Sequence, residues 1–250
     1  MGTAIASRIK GKYDVSVCEK DSARKKILKS RYKVNVGDLP QVVKNSMVVI
    51  LAVKPQNFDE ILSELAEVIS KRHLVISIAA GITTLYIEKR LKGKVRVVRT
   101  MPNLCAQIGE AMTGICKGRN TRSADLKEAV KIFDNIGKTI VVAEKWMDAI
   151  TAVSGSGPAY VFLFIECFMK AAMSLGFNLK QSKLLISQTI LGSLELLEKL
   201  GEKPEDLRAK VTSKGGTTQA ALNVFFKNNF ETIFKQAVLA ARKRAKELAR

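Results

Sequence analysis

The chain has 250 residues, 47% of them apolar, and a formal charge of +19 at pH 7 from 42 Lys and Arg against 23 Asp and Glu. That size suits one large domain or two smaller ones with a substantial core. A single histidine and four scattered cysteines without a Cys-x-x-Cys pair exclude most hydrolase triads and argue against a zinc site.

The positive charge is spread along the polar sides of helical patterns. Its densest cluster, Arg242-Lys243-Arg244 with Lys246, is interrupted by Ala240, Ala241, Ala245 and Leu248 at helical spacing. That reads as a solvated helix face, not a nucleic-acid site. No uninterrupted apolar run reaches the roughly 18 residues of a membrane span, and the start lacks a signal-peptide layout. Cys18, Cys105, Cys116 and Cys167 read as reduced core thiols, with no metal, in a cytoplasmic protein.

Residues 1–9 place Ala4, Ile5 and Ile9 at helical spacing, with a stop at Gly11. Residues 13–18 alternate as a strand, 22–29 form a polar helix, and 32–36 a short strand. Residues 47–53 are a continuous apolar run, as expected of a buried parallel strand. It ends in Lys54-Pro55, before a helix at 58–69. A second such strand spans 73–80 and ends at Gly81; His73 at its start is expected to be structural. Strands follow at 95–98, 112–116 and 139–142, with a helix at 124–136 before the last.

Alternating strands and helices imply a parallel sheet with helices on both faces and ligands beyond the strands' carboxyl ends. Those ends read Cys18-Glu19-Lys20-Asp21, Ala52-Val53-Lys54-Pro55, Ala79-Ala80-Gly81 and Met101-Pro102-Asn103. Small, cationic and amide-bearing tips suit a flat ligand carrying phosphates, and a nicotinamide dinucleotide fits them. Its fingerprint is a strand, Gly-x-Gly-x-x-Gly and a helix. The sequence opens at what corresponds to the third glycine, Gly2. The expectation is that the first strand and two glycines lie upstream of an assigned start set too late. The alternative is a true truncation with weakened cofactor binding.

Residues 144–150 lead a helix into Ala152-Val153-Ser154-Gly155-Ser156-Gly157-Pro158-Ala159-Tyr160. Beyond this joint every pattern is helical. Its glycines permit close backbone approach to a ligand, and Pro158 suits a helix's first turn; the alternative is a plain Gly/Ser linker. Residues 160–175 are apolar all round, which implies burial against a second subunit. Helices follow at 181–200, from Pro204 to about 211, and from 230 onward. Between the last two lies Val211-Thr212-Ser213-Lys214-Gly215-Gly216-Thr217-Thr218, entering another helix. Free amides at a helix start, with the hydroxyls of Ser213, Thr217 and Thr218, make a cradle for a carboxylate or phosphate. An ordinary threonine N-cap after a glycine turn is the competing reading.

Leu51-Ala52-Val53-Lys54-Pro55, Met101-Pro102-Asn103, the run 148–160 and the run 211–218 together resemble the pyrroline-5-carboxylate reductases, in order from Gly2 to the last helix. The resemblance implies a Rossmann domain at 1–143, lacking its first strand, followed by an all-helical substrate-binding and dimerisation domain at 144–250. It implies reduction of the ring imine of 1-pyrroline-5-carboxylate to L-proline with NADPH or NADH, the last step of proline biosynthesis, in a homodimer or larger ring. Gly2, Ala52, Val53, Lys54, Pro55, Ala80 and Asn103 would line the cofactor. Ser213, Gly216, Thr217 and Thr218 would hold the substrate carboxylate, with Glu144 near the ring nitrogen and Thr218 the hydroxyl closest to it. Lys20 would favour NADPH, whereas Glu19 beside it would favour NADH. Lys214 stands where the family usually has proline, and Asp38-Leu39-Pro40 where it commonly has an asparagine at the adenosine end. Two other readings remain: a two-domain hydroxy-acid dehydrogenase, and a cofactor-deficient oligomer without activity.

Overall fold

The structure is a computed structural model that describes residues 1–93 and 95–249. It divides into two compact units, Met1–Pro158 with Ala240–Arg250, and Ala159–Leu239. The expected division at residues 143 and 144 falls inside the first unit.

In the first unit, helix α1 (Gly2–Ile9) buries Ile5, Ala6 and Ile9 at the expected spacing. Strands β1 (Ser16–Cys18) and β2 (Asn35–Gly37) pair in parallel as a two-stranded sheet. Between them lies α2 (Ser22–Ser30), whose first turn is capped by Asp21 accepting from Arg24 N at 2.7 Å. A helix not expected from the sequence, α3 (Leu39–Lys44), follows β2. Asp38 caps it by accepting from Gln41 N at 2.8 Å, and Pro40 sits in its first turn.

Strands β3 (Val48–Leu51), β4 (Leu74–Ser77), β5 (Arg96–Met101), β6 (Ala111–Lys117) and β7 (Gly137–Val141) form a second sheet in sequence order. Helices α4 (Phe58–Val68), α5 (Thr84–Arg90) and α6 (Ser123–Phe133) connect them. Alternation along the strands separates two apolar layers. Ile76 and Val98 join Ile5 and Ile9 of α1 and Ala129 and Phe133 of α6 on one face. Val75 and Val97 join Leu62 and Leu65 of α4 and Ile87 of α5 on the other. Each such fully buried side chain contributes roughly 1.5–3 kcal/mol. The sheet is therefore Rossmann-like, with helices on both faces.

Two features differ from the expected single parallel sheet. No ladder joins β1 and β2 to β3 among the described residues. Strand β6 runs antiparallel to β5, pairing Met101 with Gly114. Only a 3-10 turn, Leu104–Gln107, precedes β6. A parallel return needs a crossover of about a dozen residues. Helix α5 was also unmarked in the sequence reading, although Thr83 caps it by accepting from Tyr86 N at 3.1 Å. The thiols are not uniformly in the core: Cys18 and Cys167 are exposed and only Cys116 is fully buried. His73 is buried, its ring accepting from Ser70 N at 2.9 Å with Nε2 3.2 Å from the Val43 carbonyl, which is a structural role.

After β7 no strand occurs among the described residues. A 3-10 turn (Glu144–Trp146), α7 (Met147–Ile150) and a π-helical turn (Thr151–Gly155) lead into α8 (Gly157–Ser174). The second unit holds most of α8, then α9 (Leu179–Leu200), α10 (Pro204–Lys210), α11 (Thr217–Lys227) and the first part of α12 (Phe230–Glu247). Helix α9 begins in a reciprocal Asn178/Gln181 capping box and ends at left-handed Gly201, φ 63°. Phe162, Leu163, Leu184, Leu191 and Phe226 lie exposed on these helices in the single chain.

Candidate active site

The carboxyl tips of the first unit and the glycine bend of the second carry the residues singled out by sequence.

At the first tip, Gly2 opens α1 hard against β3's end. A Cβ on Gly2 would stand 2.9 Å from Ala52 Cβ, so a glycine is required there. No side chain caps α1 and no acid stands in its first turn. Its free amides and partial positive charge therefore face outward, an arrangement suited to a phosphate. Ala52 and Lys54 are exposed next to it, with Val53 and Pro55 half-buried. Lys54 has no carboxylate partner among the described residues. Ala80, half-buried, precedes Gly81, whose φ of 74° needs a glycine. A small-residue cradle, free helix amides and one unpaired ammonium fit the phosphates and flat rings of a dinucleotide.

Three of the expected contact residues are already engaged. Asn103 Nδ2 donates to the Ser154 carbonyl at 3.2 Å, and its Oδ1 accepts from Cys105 N at 3.2 Å. Ser154 Oγ in turn donates to the Met112 carbonyl at 3.1 Å. Asn103 thus ties β5's end to the π-helical turn. That turn exists because Ser156 N donates five residues back, to Thr151 O at 2.8 Å. Two glycines permit the packing: a Cβ at Gly155 would come within 2.6 Å of Met101 Cε, and one at Gly114 within 2.6 Å of Ile150 Cγ2. Such π turns concentrate at functional sites.

Glu144 is engaged through both carboxylate oxygens. It accepts from Thr84 N at 2.7 Å and Thr84 Oγ1 at 2.6 Å, and its Oε1 lies 3.5 Å from Arg99 Nη1. Arg99 is 3% exposed and also faces Asp148 at 3.6 Å. The guanidinium therefore anchors the start of the joint to β5. Burial in this neighbourhood, with Glu144 adding to it, pushes the Cys116 thiol up to about 12. Lys20 is the third: its ammonium meets Glu60 at 2.6 Å and Glu64 at 3.2 Å, and the first of these contacts does most to raise its pKa.

In the second unit, Ser213, Gly216, Thr217 and Thr218 come together in one bend. Gly215 takes φ 73°, Gly216 N donates to Ser213 O at 3.0 Å, and Gly216 caps α11 without a side-chain bond. Gln219 Oε1 accepts from Gly215 N at 2.6 Å and locks the turn. The Ser213 hydroxyl lies over Gly216, 2.3 Å from where a Cβ would be. One hydroxyl and the free amides at α11's start therefore converge, with no acid in the first turn. Their chemistry suits a small carboxylate.

Fold and tips define a Rossmann-type, dinucleotide-dependent oxidoreductase with a helical second half. A model described as pyrroline-5-carboxylate reductase dimerisation matches residues 144–248, and one described as NADP oxidoreductase, coenzyme F420-dependent, matches residues 1–81. The pyrroline-5-carboxylate reductase of Methanosarcina acetivorans is 39% identical over 226 residues, covering 90% of this chain and 84% of that protein. Among solved structures, the Coxiella burnetii pyrroline-5-carboxylate reductase has a TM-score of 0.90 at 34% identity, covering all of this chain and 94% of that one. The Plasmodium falciparum enzyme, solved with NADP bound, has a TM-score of 0.91 at 30% identity and covers 100% and 95%. The chain belongs to the pyrroline-5-carboxylate reductase family.

No local pattern in the sequence marks Thr84, Arg99, Glu60 or Glu64 as functional. Ser154 alone carries a local signal, its place in the glycine-serine joint.

Proposed function

We propose that this chain reduces 1-pyrroline-5-carboxylate to L-proline with NADPH or NADH, the closing step of proline biosynthesis. The observation that carries the reading is 39% identity to a pyrroline-5-carboxylate reductase across 84% of that protein. The Ser213–Thr218 bend supports it as a carboxylate cradle.

In this reading Gly2, Ala52, Val53, Lys54, Pro55 and Ala80 hold the dinucleotide, and Asn103 shapes the pocket by fixing the joint. The cofactor, when bound there, would supply a hydride for the imine carbon, and the C=N π pair would become the amine lone pair on a nitrogen that already carries its proton. A protonated cyclic imine is electrophilic, so the chain's task is placement and exclusion of water more than acid catalysis. Ser213 and the amides at Gly216, Thr217 and Thr218 grip the carboxylate. The Thr218 hydroxyl is the group we place nearest the ring nitrogen and class as catalytic. Glu144 contributes to substrate handling through Thr84 and Arg99, since its oxygens are held there.

Residues 144–250 form the substrate-binding and dimerisation half, an assignment supported by the dimerisation match at 144–248. The stretch Glu144–Ser174 is by length and composition apolar enough to cross a membrane. We assign its exposed apolar face to a second copy of the chain, in a cytoplasmic homodimer or larger ring, with no membrane or nucleic-acid partner.

The test is loss of reduced-nicotinamide absorbance driven by pyrroline-5-carboxylate, with each cofactor in turn and proline as product. No turnover with either cofactor, in a preparation that oxidises a hydroxy acid instead, would replace the reading with a dehydrogenase.

A further inference from the structure

Lys20 follows β1, the strand that leaves α1. In dinucleotide folds the residues at that strand's end meet the adenosine ribose, where an acid accepts a free diol and a cation accepts a 2′-phosphate. This chain places both types there, and the structure shows how they are arranged. Glu60 and Glu64 stand one turn apart on α4, on the same face. Both reach Lys20, at 2.6 and 3.2 Å. Glu19 does not compete for the ammonium, because its Oε1 accepts from Asp21 N at 3.1 Å and stiffens the turn. Glu64, Asp38, Lys20 and Lys25 all act electrostatically on the neighbouring Cys18 thiol, so the charges of this tip share one small region.

We propose that Glu60 and Glu64 are specificity-determining residues that sequester Lys20 and set the enzyme to prefer NADH over NADPH. The proposal rests on the reductase reading for the cofactor's presence, and it assigns the discrimination to a helix outside the strand tip. A 2′-phosphate entering this tip meets an ammonium already shared between two carboxylates. It must displace them or sit beside them, and like charges in register oppose binding. A free ribose diol meets no such opposition and finds carboxylate acceptors at hand. The pairs are solvent-exposed, with side chains 43–67% accessible. The discrimination is therefore moderate and salt-sensitive.

Binding of adenosine 2′,5′-bisphosphate and of 5′-AMP, measured by calorimetry at low and high salt, reads the effect without turnover. Glu60→Gln with Glu64→Gln together should tighten the bisphosphate about tenfold and change AMP by less than about twofold. NADPH and NADH Michaelis constants should shift in the same ratio. The gain should vanish in a Lys20→Ala background and shrink at high salt. Equal change for both nucleotides, no change, or a gain that survives without Lys20 overturns the proposal. Failure of both nucleotides to bind any variant, in a chain that still reduces the imine with NADH, overturns it too and leaves the reductase reading standing. Loss of binding together with loss of imine reduction by the unmodified chain defeats the reductase reading itself.

Discussion

Gly216→Ala separates substrate grip from stability. Gly216 has φ −82° and ψ 174°, a conformation any residue adopts, so the backbone does not resist alanine. Fewer unfolded states would even favour the variant by about 0.4–1 kcal/mol. The obstacle is Ser213 Oγ, 2.3 Å from the new Cβ, where real contacts stay beyond 3.0 Å. The hydroxyl must move by at least about 0.7 Å, enough to break a directed hydrogen bond. A hydrogen bond to a charged carboxylate is worth about 1.5–3 kcal/mol, so the KM for pyrroline-5-carboxylate should rise roughly 10- to 150-fold. Affinity for NAD(P)H, followed by fluorescence titration, should not change. Ser213→Ala should give a similar rise, and the double variant should be no worse than either single one, because both remove the same contact. An unchanged substrate KM in Gly216→Ala, or a cofactor affinity that falls in step with it, would refute the assignment of this bend to the carboxylate.

Three further outcomes follow from the first unit. Arg99→Met leaves Glu144 and Asp148 without their buried cation and should cost about 3 kcal/mol of stability in urea unfolding, whereas a change within error would show the guanidinium to be incidental. Gly81→Ala meets both a φ of 74° and the Leu248 carbonyl at 2.6 Å from its Cβ, and should cost about 2 kcal/mol or more; an unaltered thermal midpoint would contradict that packing. Cys116 gives a pH signature. Its folded pKa is raised from 9.0 to about 12, so its contribution is complete below pH 9 and is lost as pH climbs toward 12. The stability lost across that window is at most on the order of 4 kcal/mol. The stability gap between the native chain and Cys116→Ala should therefore narrow above pH 9, and a constant gap would remove the thiol as its source.

The strands were legible because continuous apolar runs such as 47–53 leave little alternative, and the tip residues because they follow those runs. The bend at Ser213–Thr218 was legible for the same local reason: two glycines, two threonines and a helix are adjacent in sequence. What escaped was set by distance along the chain. Glu144 finds Thr84 60 residues away, Asn103 finds Ser154 51 away, and Lys20 finds Glu60 40 away. No local spacing reveals such partners, so residues that looked free for ligands turned out to be shared with the scaffold. The antiparallel β6 also escaped, although no helical pattern lies between the 95–98 and 112–116 runs to carry a parallel return. Helices α3 and α5 were missed despite the Asp38 and Thr83 caps, because each is only a turn or two long. The π turn has no sequence signature at all; it arises where Ser154 and Gly155 fit against Met112 and Met101.

The first unit is built from two separated stretches, with its last portion supplied after an excursion of 81 residues, Ala159–Leu239. Leu248 lies on Gly81, so a chain that lacks the second stretch leaves the loop there uncovered. A nascent chain halted near residue 158 should be sensitive to protease at the Ala79–Gly81 loop, and adding back a peptide of the closing segment should protect it. The closing segment therefore completes the packing around the Ala79–Gly81 loop.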